Sequence, residues 1–276
     1  LSTASAQNVP EQPVTGERTV PLVGPTGVEV PGRVMEFGEG VPFVFLHGLV
    51  GINEHWLGVV RRVSDRIRCV LLEVPLLELR GDDCCIQGVS AMVARFVREQ
   101  LQTPSVLVGS SFGGHVALRL GVYDPDLVRG LVLVGSSGLG EKPIGGPRVK
   151  RTREWMEETI AELFFDRSKM PAGDVDRAWG ELSERTKAKR LFRLSRSVFA
   201  DSMGDRLSSI RAPTLVLWGR EDQITPPEAA VQFAREIPGA ELVWIDECGH
   251  APMIEKPEEF SRALLAFGER IGCVRP

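Results

Sequence analysis

The chain has 276 residues, 33 Lys/Arg against 37 Asp/Glu, a formal net charge of -4, and 43% hydrophobic and 25% charged residues. This is a globular composition with length enough for one large core, and without a basic run it excludes electrostatic binding to nucleic acid or a membrane surface. No apolar run reaches the roughly 20 residues that span a bilayer, so small molecules are the expected partners.

Residues 1–27 read as an N-terminal extension and a first strand, punctuated by Pro and Gly. Ala4-Ser5-Ala6 has the small-residue pattern of a cleaved export signal, but the charged and apolar parts of such a signal are missing. The five cysteines, Cys69, Cys84, Cys85, Cys248 and Cys273, form neither an even framework nor a C-x-x-C pair. They fit reduced thiols in the cytoplasm, with export as the alternative, and give no zinc site.

Val28 to Phe37 alternates as a half-buried strand. Short runs that are apolar at every position follow at Phe43–Leu46, Cys69–Leu72, Val106–Val108, Leu131–Val134, Leu215–Trp218 and Leu242–Ile245. Such runs suit strands covered on both faces. Helical stripes separate most of them, among them Val89, Val93, Phe96, Val97 and Leu101, and at the C-terminus Phe260, Leu264, Phe267 and Ile271. Alternating strand and helix predicts a mostly parallel sheet with helices on both faces.

About seventy residues between Val134 and Leu215 carry no strand run. Three stripes predict three helices there: Met156, Ile160, Leu163 and Phe164; Val175, Ala178, Trp179 and Leu182; Leu191, Leu194 and Val198. The division is a core of residues 28–137 and 207–276 with a helical insertion at 138–206. The large aromatics of the insertion, Trp155, Phe164, Trp179, Phe192 and Phe199, are expected in its core rather than around a pocket.

Gly109-Ser110-Ser111-Phe112-Gly113 follows the run ending at Val108 and precedes the helical stretch His115–Leu120. G-x-S-x-G between strand and helix strains its middle residue and needs small neighbours, so it projects the Ser111 hydroxyl beside the positive end of the next helix. The pattern alone is common, and its context has to decide. A nucleophilic serine needs a base, a group to orient the base, and donors for an oxyanion. His250 lies just after the last strand run and Asp222 just after the run ending at Trp218, both at the carboxyl edge that also carries Ser111. Glu221 is the nearest rival to Asp222. In the His47-Gly48-Leu49 loop, a backbone N–H can converge with that of Phe112 on an oxyanion, His47 holding the loop by hydrogen bonds. His55 and His115 are assigned to a helix face or to packing, and Ser110 to the loop or to substrate contact.

With His47-Gly48, Gly109–Gly114, Gly219–Asp222 and Gly249-His250 in this order, the chain resembles the α/β-hydrolase superfamily, of the lidded esterase and C-C hydrolase type, from about Val28 to Ile271. The resemblance implies an α/β fold of about eight mostly parallel strands, the first ones antiparallel, flanked by helices, with the insertion as a lid over the substrate pocket. It implies a Ser111, Asp222, His250 triad, an oxyanion hole from Leu49 and Phe112, and no metal or cofactor. The expected activity is hydrolysis of small to medium carboxylic esters through an acyl-enzyme. One alternative is cleavage of carbon-carbon bonds in dienoic ring-fission products, to which Gly135–Gly140 is similar. Enzymes of that kind commonly have Asn before the nucleophile and an aromatic after the histidine, where this chain has Ser110 and Ala251, and their lid arginine has no assignable counterpart here. A non-catalytic ligand receptor on the same fold is the other alternative. Aspartate-nucleophile relatives, the haloalkane dehalogenases and epoxide hydrolases, are disfavoured by Ser111.

Overall fold

The apolar runs become the strands of one sheet in the computed structural model, which describes residues 16–140 and 152–275. The Ala-x-Ala segment, the extension up to residue 15, and residues 141–151 of the insertion lie outside the described residues. The strands are β1 (Gly16–Val23), β2 (Glu29–Phe37), β3 (Pro42–Leu46), β4 (Arg68–Glu73), β5 (Ser105–Ser110), β6 (Val128–Val134), β7 (Thr214–Gly219) and β8 (Glu241–Ile245). They lie in the order β1-β2-β4-β3-β5-β6-β7-β8. The β1–β2 and β2–β4 pairs are antiparallel, and every later pair is parallel.

The central strands are buried on both sides, which is why they read as unbroken apolar runs. Successive side chains point to opposite layers: Phe43 and Phe45 of β3 face one, Val44 and Leu46 the other. The layer of Val44 is filled by α2 (Ile86–Phe96), α3 (Phe112–Tyr123) and α7 (Pro227–Glu236), through Val93, Val116 and Phe233 among others. The layer of Phe43 is filled by α1 (Leu57–Val63) and α9 (Pro257–Arg270) through Val60, Phe260 and Leu264. There Trp56 stacks edge-on with Phe45 and Phe260 at 5.2 and 5.9 Å. The stripe over α2 continues to Leu101 as a single π turn, and Ile271 sits just past the end of α9.

Three helices occupy the stretch between β6 and β7: α4 (Arg153–Ala161), α5 (Asp174–Leu182) and α6 (Arg185–Ala200). Met156, Ile160, Val175 and Ala178 join the α1/α9 layer, whereas Leu194 and Val198 of α6 join the α2/α3 layer, so the insertion straddles the sheet. The first stripe departs from its expected helix. α4 stops at Ala161, and Leu163 and Phe164 lie in the turn beyond it, where their N–H groups bond three residues back to Ile160 O (3.1 Å) and Ala161 O (3.2 Å) and so leave the helical ladder; the next two N–H groups, of Phe165 and Asp166, are taken by the Glu255 carboxylate of α8 (Pro252–Glu255). Among the described residues no helix is long and apolar enough to cross a membrane.

Candidate active site

The carboxyl ends of β3, β5, β6, β7 and β8 meet along one edge, each followed by a loop of the candidate site. Ser111 stands between β5 and α3 at φ 53°, ψ -114°, a conformation that L residues rarely adopt. Hydrogen bonds hold it there. Its N–H donates to Val134 O at 2.9 Å, and its carbonyl accepts from His115 N (3.1 Å), Ser137 N and Ser137 Oγ (both 3.2 Å). The flanking glycines are required by close approach: a Cβ on Gly109 would lie 2.3 Å from Gly113 O, and one on Gly113 2.3 Å from Leu46 O. The strained elbow expected from the pentapeptide is present.

Past β7, the Asp222 side chain is fully buried. Its Oδ1 accepts the N–H groups of Ile224 (2.8 Å) and Thr225 (3.0 Å), a local turn that fixes the carboxylate. Its Oδ2 lies 2.8 Å from His250 Nδ1. A buried carboxylate facing Nδ1 accepts its proton bond, which leaves the His250 Nε2 lone pair free. The Thr225 hydroxyl lies 2.9 Å from Asp222 Oδ2, 3.0 Å from Gly135 O and 3.2 Å from His250 Nδ1. Gly135, at φ 48°, closes the other side: a Cβ there would sit 2.9 Å from His250 Nδ1. Glu221 is committed elsewhere, its carboxylate accepting the Cys248 N–H at 2.9 Å and its own N–H donating to Cys248 O at 3.0 Å. It braces the loop that carries His250 without touching the imidazole ring.

After β3, the Val74 N–H donates to His47 Nε2 (3.1 Å), so the proton is on Nδ1, which donates to Gly48 O (2.7 Å). Burial pushes the His47 imidazole below its usual range, consistent with this neutral tautomer. Gly51 N also donates to Gly48 O at 3.0 Å, closing the turn that carries Leu49. That turn lies against the Ser111 elbow, a Cβ on Gly48 being only 3.5 Å from Ser111 Cβ. Phe112 opens α3, where first-turn N–H groups lack helical partners.

Ser110, Ser111, Leu49 and His250 share one cleft. Its walls are mostly apolar: Ile52, Trp56, Ile160, Leu163, Phe164, Ile224 and Met253. Of the five insertion aromatics assigned to the core, Phe164 lines this cleft, and Phe199 is half-exposed.

The cleft has one charged end that sequence reading missed. His55, assigned to a helix face or packing, lines the cleft with Asp174 and Arg177 of α5, its Nε2 lying 3.0 Å from Asp174 Oδ2. Arg177 Nη2 donates to Val50 O (2.9 Å) and reaches Asp174 Oδ1 (3.4 Å). Burial works to raise the Asp174 carboxyl, but His55 and Arg177 outweigh it and hold it below the usual range. His115 is fully buried on α3, with Nε2 3.0 Å from Asp201 Oδ2 at the end of α6, where Arg119 also pairs at 2.6 Å.

The sequence model of the alpha/beta hydrolase family matches residues 43–263, from β3 into α9. The chain belongs to the alpha/beta hydrolase family. Within that family it is similar to a pimeloyl-[acyl-carrier protein] methyl ester esterase of Nitrosomonas europaea, 28% identical over 250 residues that cover 81% of this chain and 94% of the relative. It is also similar to a 2-hydroxy-6-oxononadienedioate/2-hydroxy-6-oxononatrienedioate hydrolase of Dechloromonas aromatica, 27% identical over 83% of this chain and 88% of that one. Among solved structures, the alpha/beta hydrolase MGS-MChE2, from the metagenome of lagoon sediments at Mar Chica, Morocco, matches with a TM-score of 0.70 and 30% identity, over 87% of this chain and 95% of that one. The hydrolase fold expected from the sequence, eight strands with the first ones antiparallel, is the fold observed.

Proposed function

We propose that the protein hydrolyses carboxylic esters of small to medium size through an acyl-enzyme on Ser111. The observation that carries the reading is the strained Ser111 elbow sharing a cleft with a His250 whose Nδ1 is 2.8 Å from Asp222. In this scheme Ser111 attacks the ester carbonyl, His250 Nε2 takes the hydroxyl proton and returns it to the leaving alcohol, and Asp222 holds the tautomer. Water then attacks the acyl-enzyme with His250 again as base. The N–H groups of Leu49 and Phe112 stabilise the oxyanion, a contribution of about 3 kcal/mol for each donor. α4 to α6 serve as the lid, supplying Ile160, Leu163 and Phe164 to an apolar wall suited to an acyl chain.

The Dechloromonas relative supports carbon-carbon cleavage as a second reading. Against it, Arg177 is the one arginine lining the cleft among the described residues, and its charge already faces Asp174, which disfavours a dienoate dianion. A panel of p-nitrophenyl esters beside a 2-hydroxy-6-oxo-dienoate tests the choice. Ester turnover that disappears in Ser111→Ala while the fold is retained is the expected result. Turnover of the dienoate alone establishes the second reading, and a folded protein that turns over neither substrate points to a ligand receptor.

A further inference from the structure

Glu255 is a buried carboxylate with no role in the scheme above, only 6% exposed at the end of α8. Its Oε1 accepts the Gly249 N–H at 2.8 Å, with the Cys248 thiol at 3.8 Å. Its Oε2 accepts the N–H groups of Phe165 (2.9 Å) and Asp166 (3.1 Å). Burial pushes this carboxyl up, and the three N–H groups act against that rise. One side chain therefore ties two segments more than eighty residues apart in sequence.

Those segments are the two that matter for an ester. Gly249 precedes His250, whose own N–H donates to Leu163 O at 2.8 Å. The insertion turn is seated so closely that a Cβ on Gly249 would lie 2.7 Å from Leu163 O and 2.8 Å from Phe165 N. Leu163 and Phe164, in the same turn, form part of the cleft wall. The Gly249 bond is buried and those of Phe165 and Asp166 are part-buried, and a buried N–H without a partner is costly.

We propose that Glu255 is a positioning residue that sets the His250 loop and the Leu163–Phe164 wall as one unit, coupling the placement of the base to the shape of the acyl pocket; this rests on His250 being the base. The two ends of the carboxylate separate the effects. A glutamine in its place keeps one oxygen, which the two N–H donors of Phe165 and Asp166 compete for more strongly than the one N–H of Gly249 with the weakly donating Cys248 thiol beside it. Glu255→Gln is then predicted to loosen the His250 side and spare the wall, and Glu255→Ala to loosen both.

The test combines amide hydrogen exchange with kinetics on p-nitrophenyl acetate and octanoate. In Glu255→Gln, Gly249 should exchange faster while Phe165 and Asp166 hold, and kcat should fall about tenfold for both esters with KM unchanged. In Glu255→Ala all three amides should exchange faster, and KM should rise as well for octanoate alone, while the amides of β5 keep their protection. Should the alanine variant not fold, the glutamine variant decides by itself. Unchanged exchange at Gly249 in Glu255→Gln, or faster exchange there with parental kcat, overturns the proposal. If the parent turns over neither ester, the function reading has failed, and the exchange measurements still decide whether Glu255 joins the two segments.

Discussion

Asp222 and His250 meet at 2.8 Å, Oδ2 to Nδ1, across 28 residues of sequence, while Glu221, one position earlier, holds the backbone N–H of Cys248 instead. The strand β7 explains the division. It delivers two adjacent acids to the same edge, and the turn in which Asp222 Oδ1 accepts the N–H groups of Ile224 and Thr225 rotates the second acid inward. Asp222→Asn should therefore lower kcat by about 10⁴-fold, since an amide in that place favours the wrong imidazole tautomer. Glu221→Gln should lower it far less, because its contact is to backbone. Steady-state kinetics on a p-nitrophenyl ester check both, and equal losses would remove the distinction.

Thr225 supplies a hydroxyl within 2.9 Å of Asp222 Oδ2 and 3.0 Å of Gly135 O. Thr225→Val keeps the shape and removes the donor, so kcat should fall about tenfold with KM little changed. Thr225→Ser should restore most of the loss. The low-field proton resonance of the His250 Nδ1–H should move in the valine variant and return in the serine variant.

Arg177 at the cleft is matched by Asp174. Asp174→Asn removes that match and should favour esters carrying a carboxylate, lowering their KM relative to a neutral ester by about threefold to tenfold. Comparing a hemisuccinate ester with a neutral ester of equal length reads this effect. An unchanged KM ratio would show that Arg177 does not face the substrate.

Asp201 closes α6 onto α3 through His115 and Arg119. Burial works to raise its carboxyl, but these two partners outweigh burial and hold it at about 2. An acid held below its unfolded value of about 3.9 contributes stability that is fully present above that value and lost as pH falls through about 2. Asp201→Asn should thus cost about 2 kcal/mol at pH 6. The gap from the parent should narrow as pH drops from about 4 toward 2. Urea unfolding at several pH values tests the window.

Much of this architecture is legible in the sequence because its signals are local. The runs at Phe43, Cys69, Val106, Leu131, Leu215 and Leu242 are apolar at every position since both faces of those strands are covered, and the elbow glycines sit beside the serine they accommodate. Asp222 and His250 stand out because each directly follows a strand run. Thr225, His55, Arg177 and Glu255 do not, for a physical reason. His55 meets Asp174 across 119 residues and Glu255 meets Phe165 across 90, whereas Thr225 and Arg177 each meet an acid three residues away but act on a His250 or a cleft that the chain assembles from elsewhere, and no pattern of neighbours marks where a common polar side chain will point. Leu163 and Phe164 continue a helical stripe by spacing, yet α4 ends before them, their N–H groups tightening into bonds three residues back and the following two bonding to Glu255.

Every step of the proposed hydrolysis depends on Ser111 being the nucleophile. Labelling the folded protein with a fluorophosphonate and mapping the adduct by peptide mass spectrometry tests it most directly. The expected result is a single adduct on Ser111, formed in competition with a p-nitrophenyl ester and slowed strongly in His250→Ala. An adduct on another residue, or full ester turnover by a folded Ser111→Ala protein, would contradict it.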